Sequence, residues 1–378
     1  MFAFLLTYVA VYGGVHAYLF WQARRSFCLG ALPGACLGVF FAAMVAAPIL
    51  TRLLDRREVT VLARPLAWVG YSWMAAAFWL FLLFLSRDLW NLAAVGSARI
   101  FPAAPQAALP LRGSALAFLF AVLLAGFWGL REAGDIRLEE VTVHTPHLPP
   151  GSPPVRLAFV ADVHADLLVG ERRLQKIADL VRRAKPDAVL SGGDLVDASA
   201  AHLSSLSRIF ADLRPRLGKY AVTGNHEYYA GVLQSERFAA AAGFRMLHGE
   251  SVLVEGRLLL VGVDDPTARQ MGLPATPPEG ELLPREEARP AVVLLKHRPA
   301  VAAGSTGRFD LQLSGHTHRG QLWPFRYLVS LEYPLPDGLS SAGRGSVLYK
   351  SRGTGTWGPP LRFLAPPEVT LVVLVPAG

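Results

Sequence analysis

The sequence is poor in charge and in cysteine. Only 17% of its 378 residues are charged, whereas an ordinary soluble domain has about 25%. Its two cysteines, Cys28 and Cys36, lie in an apolar stretch, so the chain has neither a disulfide framework nor a thiolate metal site. The mean hydropathy of +0.33 agrees with the shortage of charge. These shortages exclude a disordered chain and an ordinary soluble enzyme.

Charge is scarce mainly in residues 1–130, which contain nine arginines, no lysine and three acidic residues. Their net charge is +6, and the remaining 248 residues, with 28 basic and 26 acidic groups, add only +2. The basic charge therefore comes mostly from arginines between apolar segments. For this reason we expect no nucleic-acid partner.

Four apolar stretches cover residues 1–23, 26–51, 65–86 and 111–130. A helix needs about 20 residues to cross the hydrocarbon core, and none of these stretches has the polar face of a helix in a soluble domain. We predict an all-α membrane region at 1–130 with about four transmembrane helices in a lipid bilayer. With a cytoplasmic N-terminus, six arginines near the spans face the cytoplasm and five the other side, which favours a cytoplasmic C-terminal half by one residue.

The character of the sequence changes at 131–154. Prolines cluster at the end of this segment, at 149–154, and we predict a Pro-rich linker there. From residue 155, short apolar runs typical of buried strands alternate with segments of helical periodicity, such as 171–184. This alternation predicts an α/β domain at 155–376.

Polar residues follow the predicted strands at the points where the strands end. They form five motifs: Asp162-Val163-His164, Gly193-Asp194, Gly224-Asn225-His226-Glu227, Lys296-His297 and Gly315-His316-Thr317-His318. Loops at the carboxyl ends of strands form the ligand crevice of open α/β sheets. One such motif is more typical of a turn, but five together would bury carboxylates and imidazoles at high cost without a metal. Their oxygen and nitrogen atoms suit Mn, Fe or Zn rather than Ca.

In this order the motifs resemble those of the calcineurin-like metallophosphoesterase superfamily, and the resemblance covers residues 155–376. The stretches 221–229, 311–318 and 351–360 are similar to the bacterial YaeI/YkuE-type phosphodiesterase branch, which includes members with N-terminal transmembrane helices. The resemblance implies a metallophosphoesterase-type β-sandwich flanked by helices. It also implies a binuclear centre with two divalent metal ions.

The resemblance further implies a role for each polar residue of the motifs. The first ion would be held by Asp162, His164 and His318, the second by Asn225, His297 and His316, and Asp194 would bridge them. A hydroxide shared by the ions would be the nucleophile. His226 would assist the leaving group, and Glu227 would orient His226.

The implied function is that of a membrane-anchored phosphohydrolase that cleaves a phosphodiester or diphosphate bond at the bacterial inner (plasma) membrane. Anchoring favours a lipid-linked substrate, such as UDP-2,3-diacylglucosamine in lipid A biosynthesis. The alternative is a catalytically silent binding or sensor protein that keeps the fold. Such a protein would be expected to have lost site residues, whereas this sequence retains all seven ligand positions and His226.

Two cations depart from the pattern of this branch. Arg319 stands where glycine is expected, and Lys296 stands where a small residue is usual. They either face solvent, the commoner case for charged loop residues, or bind a second phosphate or a polar head group. Arg352, in the glycine-rich segment 351–360, is the better candidate for a phosphate clamp, because glycines allow close backbone approach.

Overall fold

A computed structural model describes residues 2–100, 108–197, 200–286 and 288–377. The chain forms two compact units, and the boundary between them falls after Leu130. The N-terminal helices are α1 (Phe2–Phe27), α2 (Ala31–Arg56), α3 (Thr60–Ile100) and α4 (Leu111–Gly134). Helices α2, α3 and α4 are long and apolar enough to cross a membrane. The crossing predicted for residues 1–23, of which 2–23 lie in α1, stays a prediction.

Helix α3 is longer than the predicted span at 65–86 and continues to Ile100. The charges of Arg87 and Asp88 do not end it, because these two side chains pair with each other at 2.8 Å. Asp88 also accepts hydrogen bonds from Tyr18 (2.7 Å) and Gln22 (2.5 Å) of α1. A paired carboxylate is tolerated in an apolar helix where an unpaired one is not.

Small residues let α2 and α3 approach each other closely. A Cβ added at Gly70 of α3 would lie 2.8 Å from the Cβ of Ala47 in α2, and Ala47 is fully buried. Because lipid tails are as apolar as the side chains, close van der Waals contact of this kind is a main source of helix association in membranes.

The second unit is built on two six-stranded sheets. In chain order the strands are β1 (Arg137–Thr145), β2 (Val155–Val160), β3 (Ala188–Ser191), β4 (Lys219–Ala221), β5 (Arg245–Met246), β6 (Glu250–Val254), β7 (Leu258–Gly262), β8 (Ala291–Leu295), β9 (Leu311–Ser314), β10 (Gly338–Gly343), β11 (Ser346–Lys350) and β12 (Glu368–Pro376). One sheet has the order β1-β12-β2-β3-β4-β5 and the other β10-β11-β9-β8-β7-β6. Strands β2, β3 and β4 run parallel, as do β7, β8 and β9.

Helices flank the sheets and complete the core. They are α5 (Glu171–Ala184), α6 (Ala200–Ala211), α7 (Asn225–Ala230), α8 (Val232–Ala241), α9 (Thr267–Gln270), α10 (Glu279–Leu282) and α11 (Arg326–Glu332), together with a 3-10 turn at His318–Gly320. One buried cluster joins the two sheets through residues such as Leu157 and Leu311. A second packs the other face of the first sheet against helix residues such as Ile177 and Phe210. The predicted α/β sandwich with flanking helices is confirmed.

The segment 131–154, predicted as a linker, contains strand β1. It pairs in parallel with β12 along its whole length. Val143 and Thr145 are buried, while most of the residues between Arg137 and Glu140 are exposed. The charged first half of β1 conceals the alternation of buried and exposed residues that marks its second half, and for this reason the sequence did not predict the strand. The first sheet therefore begins before the proline cluster at 149–154.

Candidate metal centre

The predicted ligands lie in loops that leave the carboxyl ends of parallel strands. Asp162 and His164 follow β2, Asp194 follows β3, Asn225 begins α7 after β4, His297 follows β8, and His316 and His318 follow β9. Five of these seven residues have a positive φ: Asp162, His164, Asp194, His316 and His318. Non-glycine residues rarely adopt this conformation, and it persists only where the surroundings enforce it.

Three side chains form the first cluster of potential ligands: Asp162, His164 and His318. The Nε2 atoms of His164 and His318 lie 3.0 Å apart, and Nε2 of His318 lies 3.9 Å from Oδ1 of Asp162. All three residues are buried. Their donor atoms therefore converge on one point in the interior.

The second cluster surrounds Nε2 of His297. This nitrogen lies 3.2 Å from Oδ1 of Asn225, 3.2 Å from Nδ1 of His316 and 3.2 Å from Oδ2 of Asp194. The same Oδ2 of Asp194 lies 3.8 Å from Nε2 of His164 in the first cluster. One carboxylate oxygen thus stands between the two sets of donors, as expected for a bridging ligand.

The electrostatics of the clusters fit divalent cations. Burial, reinforced by His226, lowers the pKa of His164 to about 3, and burial with His297 lowers the pKa of His316 to about 3. These imidazoles are therefore neutral and have lone pairs for a metal. Burial opposes the charge of His297, but the carboxylate of Asp194 outweighs it and raises the pKa of His297 to about 10.

A proton on His297 thus supplies the positive charge that the buried carboxylates require. A divalent cation would supply positive charge at the same place. Carboxylate, amide oxygen and imidazole together form the donor set of Mn, Fe or Zn. The residues present fit such ions: the donor atoms of Asp162, His164 and His318 lie close enough together to hold one, and those of Asp194, His297 and His316 form another such group.

His226 lies beside the clusters and is held by an aspartate that the motifs did not single out. Its Nδ1 lies 3.0 Å from Oδ1 of Asp197, and both side chains are buried. The ring of His226 is edge-on to that of His164, with centroids 4.6 Å apart. Asp197 comes close because Val196 bridges to Ala165 beside His164. The sequence signal that could have identified Asp197 as a site residue is its position three residues after Asp194, in the loop after β3.

Glu227 was predicted to orient His226, but its carboxylate has other partners. It accepts hydrogen bonds from the backbone N–H groups of Asp194 (2.9 Å), Leu195 (2.7 Å) and Gly224 (2.7 Å). Neighbouring side chains on a helix point about 100° apart, so Glu227 faces the β3 loop. It fixes the position of Asp194, and Asp197 is the carboxylate next to His226.

The three cations singled out in the sequence, Lys296, Arg319 and Arg352, all lie near carboxylates. Arg352 lies 2.6 Å from Glu368 and 2.5 Å from Glu139. Lys296 contacts Glu279 at 2.6 Å, and Arg319 approaches Asp337 at 3.6 Å. The charge of Arg352 is thus compensated within the sheet, which weakens the interpretation of Arg352 as a phosphate clamp.

A different arginine supports the first cluster. Arg362 is fully buried, and its guanidinium contacts Nδ1 of His318 at 3.0 Å and donates to the carbonyl of His318 at 3.1 Å. It also donates to the carbonyl of Gly355. Arg362 therefore fixes the ring and the backbone of His318. Sequence reasoning missed it because no motif distinguishes it from Arg352.

Comparisons with known proteins agree with this geometry. The family model for calcineurin-like phosphoesterases matches residues 155–320. An uncharacterized metallophosphoesterase of Aquifex aeolicus is 36% identical over 261 residues, which are 69% of this chain and all of that protein. A transmembrane protein with a metallophosphoesterase domain from Danio rerio is 31% identical over 70% of this chain and 63% of its own length. The metallophosphoesterase YkuE of Bacillus subtilis is 27% identical over 66% of this chain and 89% of its own.

The matched region contains all seven potential ligands and His226, and the similarity to the Aquifex protein extends over that protein's whole length. The resemblance inferred from the motifs is confirmed, and so is the enzyme class that it implies. The chain, with its three apolar helices long enough to cross a membrane, belongs to the calcineurin-like phosphoesterase family and is a metallophosphoesterase.

Proposed function

We propose that this protein is a membrane-anchored phosphohydrolase that uses two divalent metal ions to cleave a phosphodiester or diphosphate bond. The observation that carries the proposal is the position of Oδ2 of Asp194 between His297 at 3.2 Å and His164 at 3.8 Å. A single oxygen shared by two sets of buried donors is the arrangement that a binuclear centre requires.

The side chains of this centre have separate tasks. Asp162, His164 and His318 would hold one ion, Asn225, His297 and His316 would hold the other, and Asp194 would serve both. When bound, the ions supply positive charge that stabilises the phosphate oxygens and lowers the pKa of water. Glu227 keeps Asp194 in place through the three backbone N–H groups that it binds.

His226 assists the departure of the leaving group. Asp197 lies 3.0 Å from its Nδ1, which orients the ring and favours a proton on that nitrogen. Nε2 is then the atom that exchanges a proton with the leaving oxygen or stabilises its negative charge. The tight contacts of His226 with the metal ligands, including its backbone N–H to Oδ1 of Asp194 at 2.8 Å, place this ring at the edge of the centre.

A lipid-linked phosphoester is the substrate class that best suits the chain. Apolar helices in the same polypeptide hold the centre near a bilayer and raise its effective concentration toward lipids. UDP-2,3-diacylglucosamine, a diphosphate of lipid A biosynthesis, is the specific substrate proposed, at the cytoplasmic side of a bacterial inner membrane. A topology reporter fused after Gly378 tests this side directly.

The proposed activity is tested with purified full-length protein, bis-p-nitrophenyl phosphate and UDP-2,3-diacylglucosamine, each with and without Mn. We expect metal-dependent turnover that Asp194→Asn abolishes. Asp179→Asn, a change at an exposed residue of α5 that pairs with Arg182, serves as the matched control and should behave as wild type. Full activity of Asp194→Asn would refute the bridging role. Inert wild-type protein with every metal would favour the silent binding or sensor protein instead.

A further inference from the structure

The segment after the His316-Thr317-His318 motif exposes an unusual set of large apolar side chains. Helix α11 has no buried residue, and Leu331 on this helix is 82% exposed. We call the following five exposed residues the apolar rim: Trp323, Phe325, Tyr327, Leu328 and Leu331. Single exposed apolar residues are normal, but a contiguous group of them marks an interaction surface.

The apolar rim is attached to the metal centre at both ends. At its start, Gly320 lies so close to the backbone of Arg326 that a Cβ at this position would overlap it, and Gly320 is two residues from His318. At its end, the buried ring of Tyr333 lies 5.7 Å from the ring of His316, edge to face. The first contact packs the rim against the turn that contains His318, and the second joins the end of the rim to His316, so the rim is a fixed element beside the centre.

Further aromatic side chains continue this surface toward His226. Trp357 is half exposed, and its ring lies 5.6 Å from that of His226. The side chain of Gln321 ties Trp357 to the beginning of the rim segment through its backbone N–H (2.9 Å) and carbonyl (2.8 Å). Tyr229, also exposed, lies 5.3 Å from the other side of His226. Exposed apolar rings therefore lie both along the rim and next to the proposed leaving-group residue.

We propose that the apolar rim is a bilayer-docking surface that rests at the boundary between lipid headgroups and acyl chains. Its composition is that of a membrane interface, where Trp and Tyr are enriched and where Leu and Phe enter the acyl region. The bilayer is the occupant because three helices of the same chain have the length and composition to cross one. Docking brings the centre to the depth of a lipid phosphate without removing the lipid from the membrane.

Positive charge on and near α11 complements a bilayer that contains anionic lipids. The guanidinium of Arg326 lies 5.4 Å from the ring centre of Tyr327, and no carboxylate among the described residues pairs with it. Arg319 lies at the other side of Gly320 and approaches only Asp337, at 3.6 Å. Cations beside interfacial aromatic residues bind anionic headgroups. The surface therefore favours an anionic bilayer over a purely apolar partner.

The docking surface is tested on the full chain in nanodiscs. Leu331→Cys, made in a Cys28→Ser and Cys36→Ser background, is labelled with an environment-sensitive fluorophore, and lipids that carry a doxyl quencher in the acyl chain are added. The matched control is Leu253→Cys in β6, which is also exposed and lies in the strand farthest from β10 in its sheet. We expect strong quenching at position 331 and little at 253.

Arg326→Gln in the position 331 background tests the charge. We expect it to weaken quenching in anionic nanodiscs and to leave quenching in zwitterionic nanodiscs unchanged. Equal exposure of positions 331 and 253 to aqueous iodide, with no quenching by lipid, would overturn the proposal. So would protection of position 331 from both quenchers, because it would show that protein covers the rim. The labels report docking even if the protein has no turnover, so this result is separate from the proposed function.

Discussion

The contact between Asp197 and His226 makes a sharp prediction about leaving groups. If Asp197 orients His226 as the residue that assists the leaving oxygen, Asp197→Asn will matter most when that oxygen needs a proton. Methyl aryl phosphodiesters provide a graded series, because p-nitrophenol is a good leaving group and unsubstituted phenol is a poor one. We expect the rate loss caused by Asp197→Asn to grow along this series.

The magnitude follows from the geometry of the pair. Nδ1 of His226 and Oδ1 of Asp197 lie 3.0 Å apart, and both side chains are more than nine-tenths buried. This ion-pair contact is worth at most as much as a hydrogen bond to a charged group, about 1.5–3 kcal/mol, which corresponds to a factor of about 10–100 at 1.4 kcal/mol per tenfold. Asparagine keeps the shape and loses the charge. We therefore expect a loss in kcat of about 10–100-fold for the phenyl ester, and a much smaller loss for the p-nitrophenyl ester. The expected loss reaches only the lower end of the ~10²–10⁴-fold range of general acid catalysis, because His226 itself is kept.

The assay measures kcat for each ester with the full-length protein at saturating metal. His226→Ala is run in parallel and should show the same trend with larger losses in kcat. In the double variant, Asp197→Asn should add little to the loss that His226→Ala causes alone. His144→Ala, an exposed histidine on β1, is the control and should leave kcat unchanged. Equal losses for the p-nitrophenyl and phenyl esters would refute the proton-transfer role, and Asp197 would then be a structural residue only.

Three further predictions concern metal affinity, pH and helix packing. Arg362→Met should lower the affinity of the first metal site by about 10–100-fold, because it removes the hydrogen bond to the carbonyl of His318 that holds this residue at positive φ. An unchanged affinity in isothermal titration would show that this reasoning is wrong. Between pH 7 and 9 the metal-free protein should lose stability as pH rises, by up to about 1.4 kcal/mol per pH unit. The pKa of His297 is raised to about 10 in the folded state, so at these pH values the folded protein keeps this proton and the unfolded protein loses it. A thermal midpoint of the chelator-treated protein that rises with pH would contradict this prediction. Gly70→Val should destabilise the packing of α2 on α3 by about 1–3 kcal/mol. Gly96→Val should cost much less, because a Cβ at that position meets no atom within 4 Å. Equal thermal midpoints for the two variants would show that the contact between Gly70 and Ala47 is unimportant.

The sequence predicts which loops carry the potential ligands, because each of these residues lies within four residues of the end of an apolar run that forms a strand. Asp162 and His316, for example, each come two residues after the end of a strand, β2 and β9 respectively, where the ligand crevice of open sheets lies. Asp197 could not be assigned in this way, because its place depends on the bridge between Val196 and Ala165. The structure also separates two arginines that look alike in the sequence: Arg352 pairs with carboxylates from β1 and β12, and its neighbour Arg362 is buried against His318. The surroundings of such residues depend on pairings between strands that are distant in the sequence, which a single sequence does not show.

The backbone of the centre explains why the motifs contain the glycines that they do. The positive φ of potential ligands such as Asp162 and Asp194 costs about 1–3 kcal/mol per residue, so neighbouring contacts have to enforce this conformation. Gly315 allows this, because a Cβ there would lie 2.5 Å from Oδ2 of Asp162. Gly224 does the same for Asp194, whose Oδ1 a Cβ would overlap, and its N–H is one of the three that bind Glu227. The loops are therefore held in a costly conformation by close backbone approach and by one buried carboxylate. A substitution of Gly224 would disturb the ligand shared by both clusters before it disturbed the fold.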